Sequence, residues 1–266
     1  MKTTDSKKLA FKKLIVFDLD GTLTATKAPI DREMAGLLAR LLAVRKVAVI
    51  GGGKYALFRD QLLLPLAAQK ELLKQLFLFP TTATSFYIYE SGWKRMYALH
   101  LSTKEKRDIR NAFHLAFKET GYRHPRVTYG TIIEDRDTQM TFSALGQDVV
   151  KALGKKRGVA LKEKWLIENR DTKMKIAKTV ANLLPELEVH AAGFTSIDVT
   201  KKGIDKSYGL KQIEKHLHVP IRHMLFIGDA IFPGGNDYAV VKTGVDYLAV
   251  GGPQETKRII LSLLSG

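Results

Sequence analysis

The sequence predicts an α/β protein with a doubly wound parallel sheet as its core and a smaller α+β domain inserted into that core. Apolar runs rich in β-branched residues recur at 14–17, 47–50 and 224–227, and each ends abruptly in acids or glycines. Such runs are typical of parallel strands that are buried on both faces. Between the second and third runs, the pattern changes to alternating strands and a long amphipathic helix, which indicates an α+β module. We expect the core over residues 1–100 and 203–266 and the insertion over 101–202.

Composition narrows the class of protein. The chain has 266 residues and no cysteine, which excludes disulfides, thiolate catalysis and cysteine-ligated zinc. Residues 1–8 are polar and charged, and no apolar run is long enough for a membrane span, so we expect a cytoplasmic protein without a membrane partner. The net charge of +16 would attract nucleic acid, anionic lipid or a phosphorylated small substrate alike.

Two aspartates follow the first apolar run. In an extended chain, Asp18 and Asp20 would point to the same side, where their charges repel unless a cation or a shared proton lies between them. Mg²⁺ prefers hard oxygen ligands, and a metal-assisted carboxylate can act as a nucleophile toward phosphorus while its neighbour moves a proton. Gly21 allows a tight turn directly after them. The alternative is a strand end with two solvated acids.

The second run ends in Gly51, Gly52, Gly53 and Lys54, and a helical pattern follows. A glycine-rich turn between a strand and a helix offers backbone N–H groups to an anion, and Lys54 could add a charge. The alternative is a flexible turn that needs positive φ angles.

The middle of the chain predicts the elements of the insertion and its border. A hairpin is expected around Ser91 and Gly92, and Ser102 with Glu105 forms a capping-box pattern before a helix that ends at Gly121. The pattern then predicts strand-like runs over 127–136 and 138–144, a helix over 171–184, and strands over 187–191 and 194–200. We interpret the basic stretch between the run over 138–144 and the helix over 171–184 as a solvated face or loop. Its residues are Lys151, Lys155, Lys156, Arg157, Lys162 and Lys164.

The core resumes with a helix that begins at Lys206 and a buried strand that ends before Asp229. Because the carboxyl ends of parallel strands meet at one edge of a sheet, Asp229 could bring a third carboxylate to Asp18 and Asp20. Lys206 could neutralise phosphoryl oxygens there and keep the nucleophile ionised. A further strand over 246–250 and a helix over 253–264 complete the expected core.

Six motifs together give a family resemblance that spans nearly the whole chain. They are residues 17–24 (FDLDGTLT), 49–52 (VIGG), 130–136 (GTIIEDR), 196–199 (SIDV), 205–206 (DK) and 228–237 (GDAIFPGGND). With them the chain resembles the haloacid dehalogenase superfamily of phosphotransferases and, within it, the eukaryotic-type phosphomannomutases. The resemblance implies a Mg²⁺-dependent enzyme whose core transfers phosphate and whose α+β cap grips a phosphorylated sugar.

The resemblance also implies roles for single residues in the core. Asp18 is the expected nucleophile and Asp20 the general acid and base. Lys206 completes the catalytic set, and Asp18, Asp229 and the carbonyl of Asp20 are the expected Mg²⁺ ligands. Gly52, Gly53 and Lys54 would bind substrate, although the superfamily normally places a Ser or Thr hydroxyl at this position. Asn236 and Asp237 would support the site.

In the cap, Arg136 resembles an arginine that binds the distal phosphate of the substrate, and Ser196 and Asp198 resemble residues that hydrogen-bond sugar hydroxyls. Lys27 occupies the place of another family arginine. Two further phosphate-binding arginines are not matched, because Gln147 stands in place of one and the other falls near residues 154–156.

A mutase must hold a bisphosphorylated intermediate at both ends, whereas a phosphatase needs one anchor and a route for water. The missing arginines therefore favour a sugar-phosphate phosphatase, with a phosphomannomutase as the alternative. A more distant alternative is a basic nucleic-acid-binding protein on a weakened version of this fold, although nucleic acid is not the expected partner. A homodimer through the cap is also expected.

Overall fold

The computed structural model describes residues 11–25 and 28–265. Contacts between residues divide the chain into two compact units. The core unit contains the residues up to Ala98 and those from Asp205 onward, and the inserted unit is Leu99–Ile204.

The core unit is built on a seven-stranded sheet in the order β11-β10-β1-β2-β3-β4-β5. The first five strands in this order are parallel, and β4 and β5 are added antiparallel at one edge. This parallel sheet confirms the predicted α/β class, and the hairpin around Ser91 and Gly92 is also confirmed. The strands are β1 (Leu14–Asp18), β2 (Lys46–Ile50), β3 (Leu76–Phe79), β4 (Ser85–Tyr89), β5 (Trp93–Ala98), β10 (Met224–Gly228) and β11 (Asp246–Ala249).

The central parallel strands β1, β2, β3 and β10 are mostly apolar because both of their faces are buried. In β1, Ile15 and Phe17 pack into one hydrophobic cluster, while Leu14 and Val16 pack into another. Alternate side chains of a strand point to opposite faces, so these are the two layers on either side of the sheet.

Helices and turns connect the strands of the core unit. Two of the longer helices are α1, which Asp31 caps by accepting a hydrogen bond from the N–H of Met34, and α8, which follows the insertion. A π-helix, Arg59–Leu63, lies between two short helices after β2, and β3 passes directly into the turn Pro80–Ala83. The core helices are α1 (Arg32–Leu42), α2 (Tyr55–Phe58), α3 (Leu64–Leu66), α4 (Lys70–Leu73), α8 (Lys206–Leu217) and α9 (Pro253–Ser265), with 3₁₀ turns Ile221–His223 and Tyr238–Thr243.

The inserted unit is a four-stranded antiparallel sheet in the order β6-β7-β9-β8, packed against helices. Phe113, Phe142 and Ile176 are fully buried in its core. The predicted capping box of Ser102 and Glu105 begins α5. The elements are α5 (Thr103–Thr120), β6 (Ile133–Asp135), β7 (Met140–Ser143), α6 (Val149–Leu153), α7 (Lys155–Leu183), β8 (Leu187–Ala192) and β9 (Ser196–Lys201).

Two predictions for the inserted unit were wrong. The run over 127–136 is a strand only at Ile133–Asp135, because Gly130 at φ +76° interrupts the extended backbone. The helix predicted from Asp171 begins at Lys155 as α7, so the basic stretch is mostly a solvated helix face, with only Lys162 of its six residues buried. Lysine is a good helix former, and its alkyl stem can cover apolar surface, as the burial of Lys162 in this helix illustrates.

Over residues 11–25 and 28–265, none of the helices combines the length and the apolar character that crossing a membrane requires.

Candidate active site

The candidate site begins at the carboxyl ends of two neighbouring parallel strands. Asp18 is the last residue of β1 and is 4% exposed. Asp229 directly follows β10, the strand that pairs with β1. Because parallel neighbours end at the same edge of a sheet, the two carboxylates are delivered to one place.

Lys206 links this edge to helix α8. It is the first residue of the helix, which Asp205 caps by accepting a hydrogen bond from the N–H of Tyr208. Its Nζ donates to Oδ1 of Asp18 at 2.5 Å and also to Oδ1 of Asp237. With 2% of its surface exposed, this ammonium can stay charged only because two carboxylates face it.

Asp237 completes the cluster from the loop after β10. Its Oδ2 accepts a hydrogen bond from the N–H of Ala230 at 3.0 Å, and the residue is fully buried. One carboxylate oxygen each from Asp18, Asp229 and Asp237 lies within 4.8 Å of the others. Three hard oxygen donors this close together form a suitable ligand set for a divalent cation such as Mg²⁺.

Two glycines make room for these carboxylates. A Cβ on Gly21 would collide with the Asp229 carboxylate, and a Cβ on Gly228 would collide with the Asp237 carboxylate. Gly21 also has a φ of +93°, which side-chain-bearing residues rarely adopt. The hydroxyl of Thr22 lies 3.3 Å from Oδ1 of Asp229, where it can donate.

The electrostatics of the cluster favour an added positive charge. Burial raises the pKa of Asp18 well above its usual range. The attraction of Lys206 offsets this rise only in part, and repulsion from Asp237 and Asp229 adds to the rise. Burial and the nearby Asp237 also raise the pKa of Asp229. Burial alone would lower the pKa of Lys206, but Asp18 and Asp237 outweigh it and raise that pKa. Three carboxylates against one ammonium leave negative charge that a divalent cation would neutralise.

Asp20 does not contribute its carboxylate to this group of three. It lies two residues beyond Asp18, is half-buried, and forms an isolated β-bridge with Thr24. The chain has already left the extended conformation there, so the alternation that would place Asp18 and Asp20 on one side does not apply. Asn236 is exposed, on the same loop as Asp237. Lys27 lies outside the described residues.

The glycine-rich loop follows β2, the other neighbour of β1. Ile50 pairs with Asp18 across the two strands, so Gly51 begins the loop beside the carboxylate cluster. Gly51 is buried, Gly52 and Gly53 are half-buried, and Lys54 is exposed at the start of α2.

The inserted unit contains a second polar cluster. The Arg136 side chain is 6% exposed, and its Nε donates to Glu134 at 2.7 Å while its Nη2 donates to Gln147 at 3.1 Å. The hydroxyl of Thr141 donates to Asp198 at 2.7 Å. Burial raises the pKa of Asp198, against the opposing attraction of Arg136.

Strand β9 presents both sugar-binding candidates of this unit. Ser196 opens the strand and is half-buried, and Asp198 lies two residues further along. Their even spacing places them on the same face of the strand.

The partners Thr22, Glu134 and Thr141 were not among the predicted site residues. Thr22 lies inside the first motif, where its spacing from Asp18 could have drawn attention to it.

The chain is similar in sequence to known proteins along most of its length. The sequence profile of the eukaryotic phosphomannomutase family matches residues 34–265. Human phosphomannomutase 1 is 28% identical over 235 residues, which cover 85% of this chain and 82% of the human protein. The phosphomannomutase of Encephalitozoon cuniculi is 26% identical over 265 residues, covering 93% of this chain and 91% of the relative.

Solved structures show the same fold at low identity. An IMP-bound, N-terminally truncated IMP-nucleotidase of Plasmodium falciparum is 16% identical with a TM-score of 0.67, over 96% of this chain and 68% of that one. A haloacid dehalogenase-like hydrolase of Bacteroides thetaiotaomicron is 16% identical with a TM-score of 0.60, over 94% and 98% of the two chains.

The parallel sheet with its inserted α+β unit defines the fold class, which the solved haloacid dehalogenase-like hydrolase shares. The chain belongs to the eukaryotic phosphomannomutase family.

Proposed function

We propose that the chain is a phosphosugar mutase of the phosphomannomutase type, which moves a phosphoryl group between two positions of a sugar. The observation that carries the proposal is the buried cluster of Asp18, Lys206, Asp229 and Asp237 at the carboxyl edge of the sheet. The family match and the curated relatives favour the mutase over the phosphatase that the missing arginines suggested.

In the proposed reaction, a carboxylate oxygen of Asp18 attacks the phosphorus of a phosphorylated sugar. The bond between phosphorus and the departing sugar oxygen breaks, and Asp20 gives that oxygen a proton. In the second half, Asp20 takes a proton from a sugar hydroxyl, and that oxygen attacks the phosphorus and releases Asp18. Lys206 opposes the rise that burial causes in the pKa of Asp18, and it faces the charge that develops on the phosphoryl oxygens.

The proposed metal ligands are Asp18, Asp229 and the carbonyl of Asp20. Asp237 lies near the first two and is the third carboxylate of the cluster, although its bond to Lys206 assigns it first to that ammonium. A bound Mg²⁺ would supply charge neutralisation to the transferring phosphoryl group. The protein itself holds the carboxylates in place. Gly21 and Gly228 leave the space that the carboxylates of Asp229 and Asp237 occupy.

We assign the inserted unit to recognition of the rest of the substrate. Arg136 would bind the phosphate that is not transferred, and Ser196 and Asp198 would hydrogen-bond sugar hydroxyls. Arg136 is already oriented by Glu134 and Gln147, so a substrate phosphate would meet an arginine whose direction is set. Gly52, Gly53 and Lys54 of the core unit, with Lys27, complete the proposed binding set. A cytoplasmic homodimer stays a prediction.

Phosphorus NMR on mannose 1-phosphate with Mg²⁺ and a catalytic amount of a sugar bisphosphate tests the proposal. We expect the mannose 6-phosphate signal to grow while inorganic phosphate stays at the background level. The Asp18→Asn variant, which removes the nucleophile and keeps the shape of the side chain, is the control. Release of inorganic phosphate in step with loss of substrate would make the chain a phosphatase instead.

A further inference from the structure

The turn after β3 has an unusual backbone. Thr81, Thr82 and Ala83 have φ angles of 51°, 56° and 64°, so three consecutive residues that carry a Cβ are left-handed. This region is disfavoured for L-residues other than glycine, and β-branched threonine is among the least suited to it. Such conformations persist only where the surrounding structure enforces them, and they concentrate at functional sites.

The surroundings of this turn do enforce it. The hydroxyl of Thr84 donates to the carbonyl of Thr81 at 2.8 Å and to its hydroxyl at 2.6 Å. The hydroxyl of Tyr97, on β5, donates to the carbonyl of Ala83 at 2.9 Å. Thr81, Ala83 and Thr84 are all buried, so these bonds are shielded from water.

The left-handed turn also holds the glycine-rich loop. The N–H of Thr81 donates to the carbonyl of Gly53, and the N–H of Thr82 donates to the carbonyl of Gly51, both at 2.9 Å. Three glycines in a row have no side chains to fix them, so these backbone bonds are a main source of order for the loop. The loop begins one residue after Ile50, the pairing partner of Asp18.

The same turn contacts the helix that carries Lys206. A Cβ built on Gly209 would lie 3.1 Å from Cβ of Ala83 and 2.9 Å from Cδ1 of Ile50. Gly209 therefore lets α8 approach both the turn and the end of β2. The turn thus contacts both parts of the chain that flank Asp18, the glycine-rich loop and α8.

We propose that residues 81–84 form a clasp that positions the backbone of the loop over residues 51–53 to bind the transferring phosphoryl group. Thr81, Thr82 and Thr84 are then positioning residues, and this assignment rests on the proposed function. The strain is retained because a relaxed right-handed or extended turn would withdraw two successive N–H groups from the carbonyls of Gly51 and Gly53. The rigid clasp replaces the side-chain anchoring that the glycines lack.

The Thr84→Val variant tests the clasp because it removes the buried hydroxyl and keeps the shape of the side chain. We expect the amides of Thr81 and Thr82, which donate to the carbonyls of the glycine-rich loop, to exchange hydrogen about tenfold faster. The inhibition constant of orthovanadate, a phosphoryl mimic, should rise about tenfold. Thr84→Ser should restore both values. Thr256→Val is the matched control, since Thr256 is also fully buried and donates to a backbone carbonyl of the core unit.

If Thr84 has only a structural role, Thr84→Val should lower the melting temperature as much as Thr256→Val does. Its amide exchange and vanadate inhibition should then stay within twofold of that control. This result would overturn the clasp. If Thr84→Val does not fold, Tyr97→Phe, which removes the bond to Ala83, should give smaller changes in the same direction, and their absence would overturn it equally. If the wild-type protein shows no turnover of sugar phosphates, the proposed function fails. Amide exchange, which needs no activity, still decides the clasp.

Discussion

The ammonium group of Lys206 lies 2.5 Å from Oδ1 of Asp18 and is shared with Asp237, so one buried cation holds two acidic residues from distant parts of the chain. Within such a group each member depends on the others. Removing one charge leaves the rest buried and uncompensated, which costs far more than the pair contributes when it is complete. Lys206 also opposes the rise that burial causes in the pKa of Asp18, the proposed nucleophile.

Replacing Lys206 with Met should therefore lower kcat/KM by at least about a hundredfold and also destabilise the core unit. Lys257→Met is a matched control, because Lys257 is similarly buried but pairs with the exposed Asp31 and Glu33. Steady-state kinetics and thermal unfolding of both variants distinguish a role at the site from a general loss of a buried lysine. Equal losses of activity in the two variants would argue against the assignment of Lys206.

The carboxylate cluster predicts a metal-dependent rise in stability. Mg²⁺ that binds only the folded protein should raise the melting temperature of the wild type, and Asp229→Asn should abolish most of that rise. In Asp60→Asn the rise should be unchanged, since Asp60 is exposed and pairs with Arg59. Activity that survives complete removal of divalent cations would contradict the proposed metal site.

Arg136 should matter only for substrates that reach the inserted unit. Charge-assisted hydrogen bonds contribute about 1.5–3 kcal/mol, so Arg136→Ala should lower kcat/KM for a sugar phosphate about ten- to a hundredfold. A small aryl phosphate should be affected much less. Arg110→Ala, at an exposed arginine of the same unit, serves as control. A similar loss on both substrates would exclude the proposed role.

The stability of the inserted unit should depend on pH through the carboxyl group of Glu105. Burial alone would raise its pKa, but hydrogen bonds from Lys201 and Ser102 outweigh burial and lower the pKa from 4.5 to about 2. Because the pKa of the folded state is the lower one, the stabilisation is complete above about pH 4.5 and is lost as the pH falls toward 2. Glu105→Gln should cost about 1–2 kcal/mol at neutral pH after allowance for solvent screening.

Urea unfolding of wild type and Glu105→Gln at neutral pH and near the lower pKa checks this sign. The difference between them should shrink as the pH falls, whereas Glu163→Gln, at an exposed glutamate, should show little difference at any pH. A difference that stays constant, or grows, on acidification would contradict the assigned pKa shift.

The parts of the fold that could be predicted from sequence are those where local pattern and tertiary environment agree. Strands β1 and β10 are apolar because both faces are buried, and the acids that end them, Asp18 and Asp229, do meet at one edge of the sheet. In contrast, the start of α7 was missed because its lysines suggest solvent as readily as they suggest a helix.

The site contains features that sequence patterns alone do not encode. The motif over 228–237 predicted that Asp237 supports the site, but its place among the three carboxylates depends on the path of the loop after β10. The left-handed turn at Thr81 and Thr82 runs against the preferences of both residues, so local propensity would predict something else there. Long-range hydrogen bonds to Gly51 and Gly53 decide its conformation.

Phosphoryl transfer through Asp18 is tested most directly by mass spectrometry of the protein quenched in acid during turnover with a sugar bisphosphate. We expect a phosphoryl group on the peptide that contains Asp18, its loss when a sugar monophosphate is added before the quench, and no adduct in Asp18→Asn. A phosphoryl group on a different residue, or sustained turnover without any adduct on Asp18, would contradict the account.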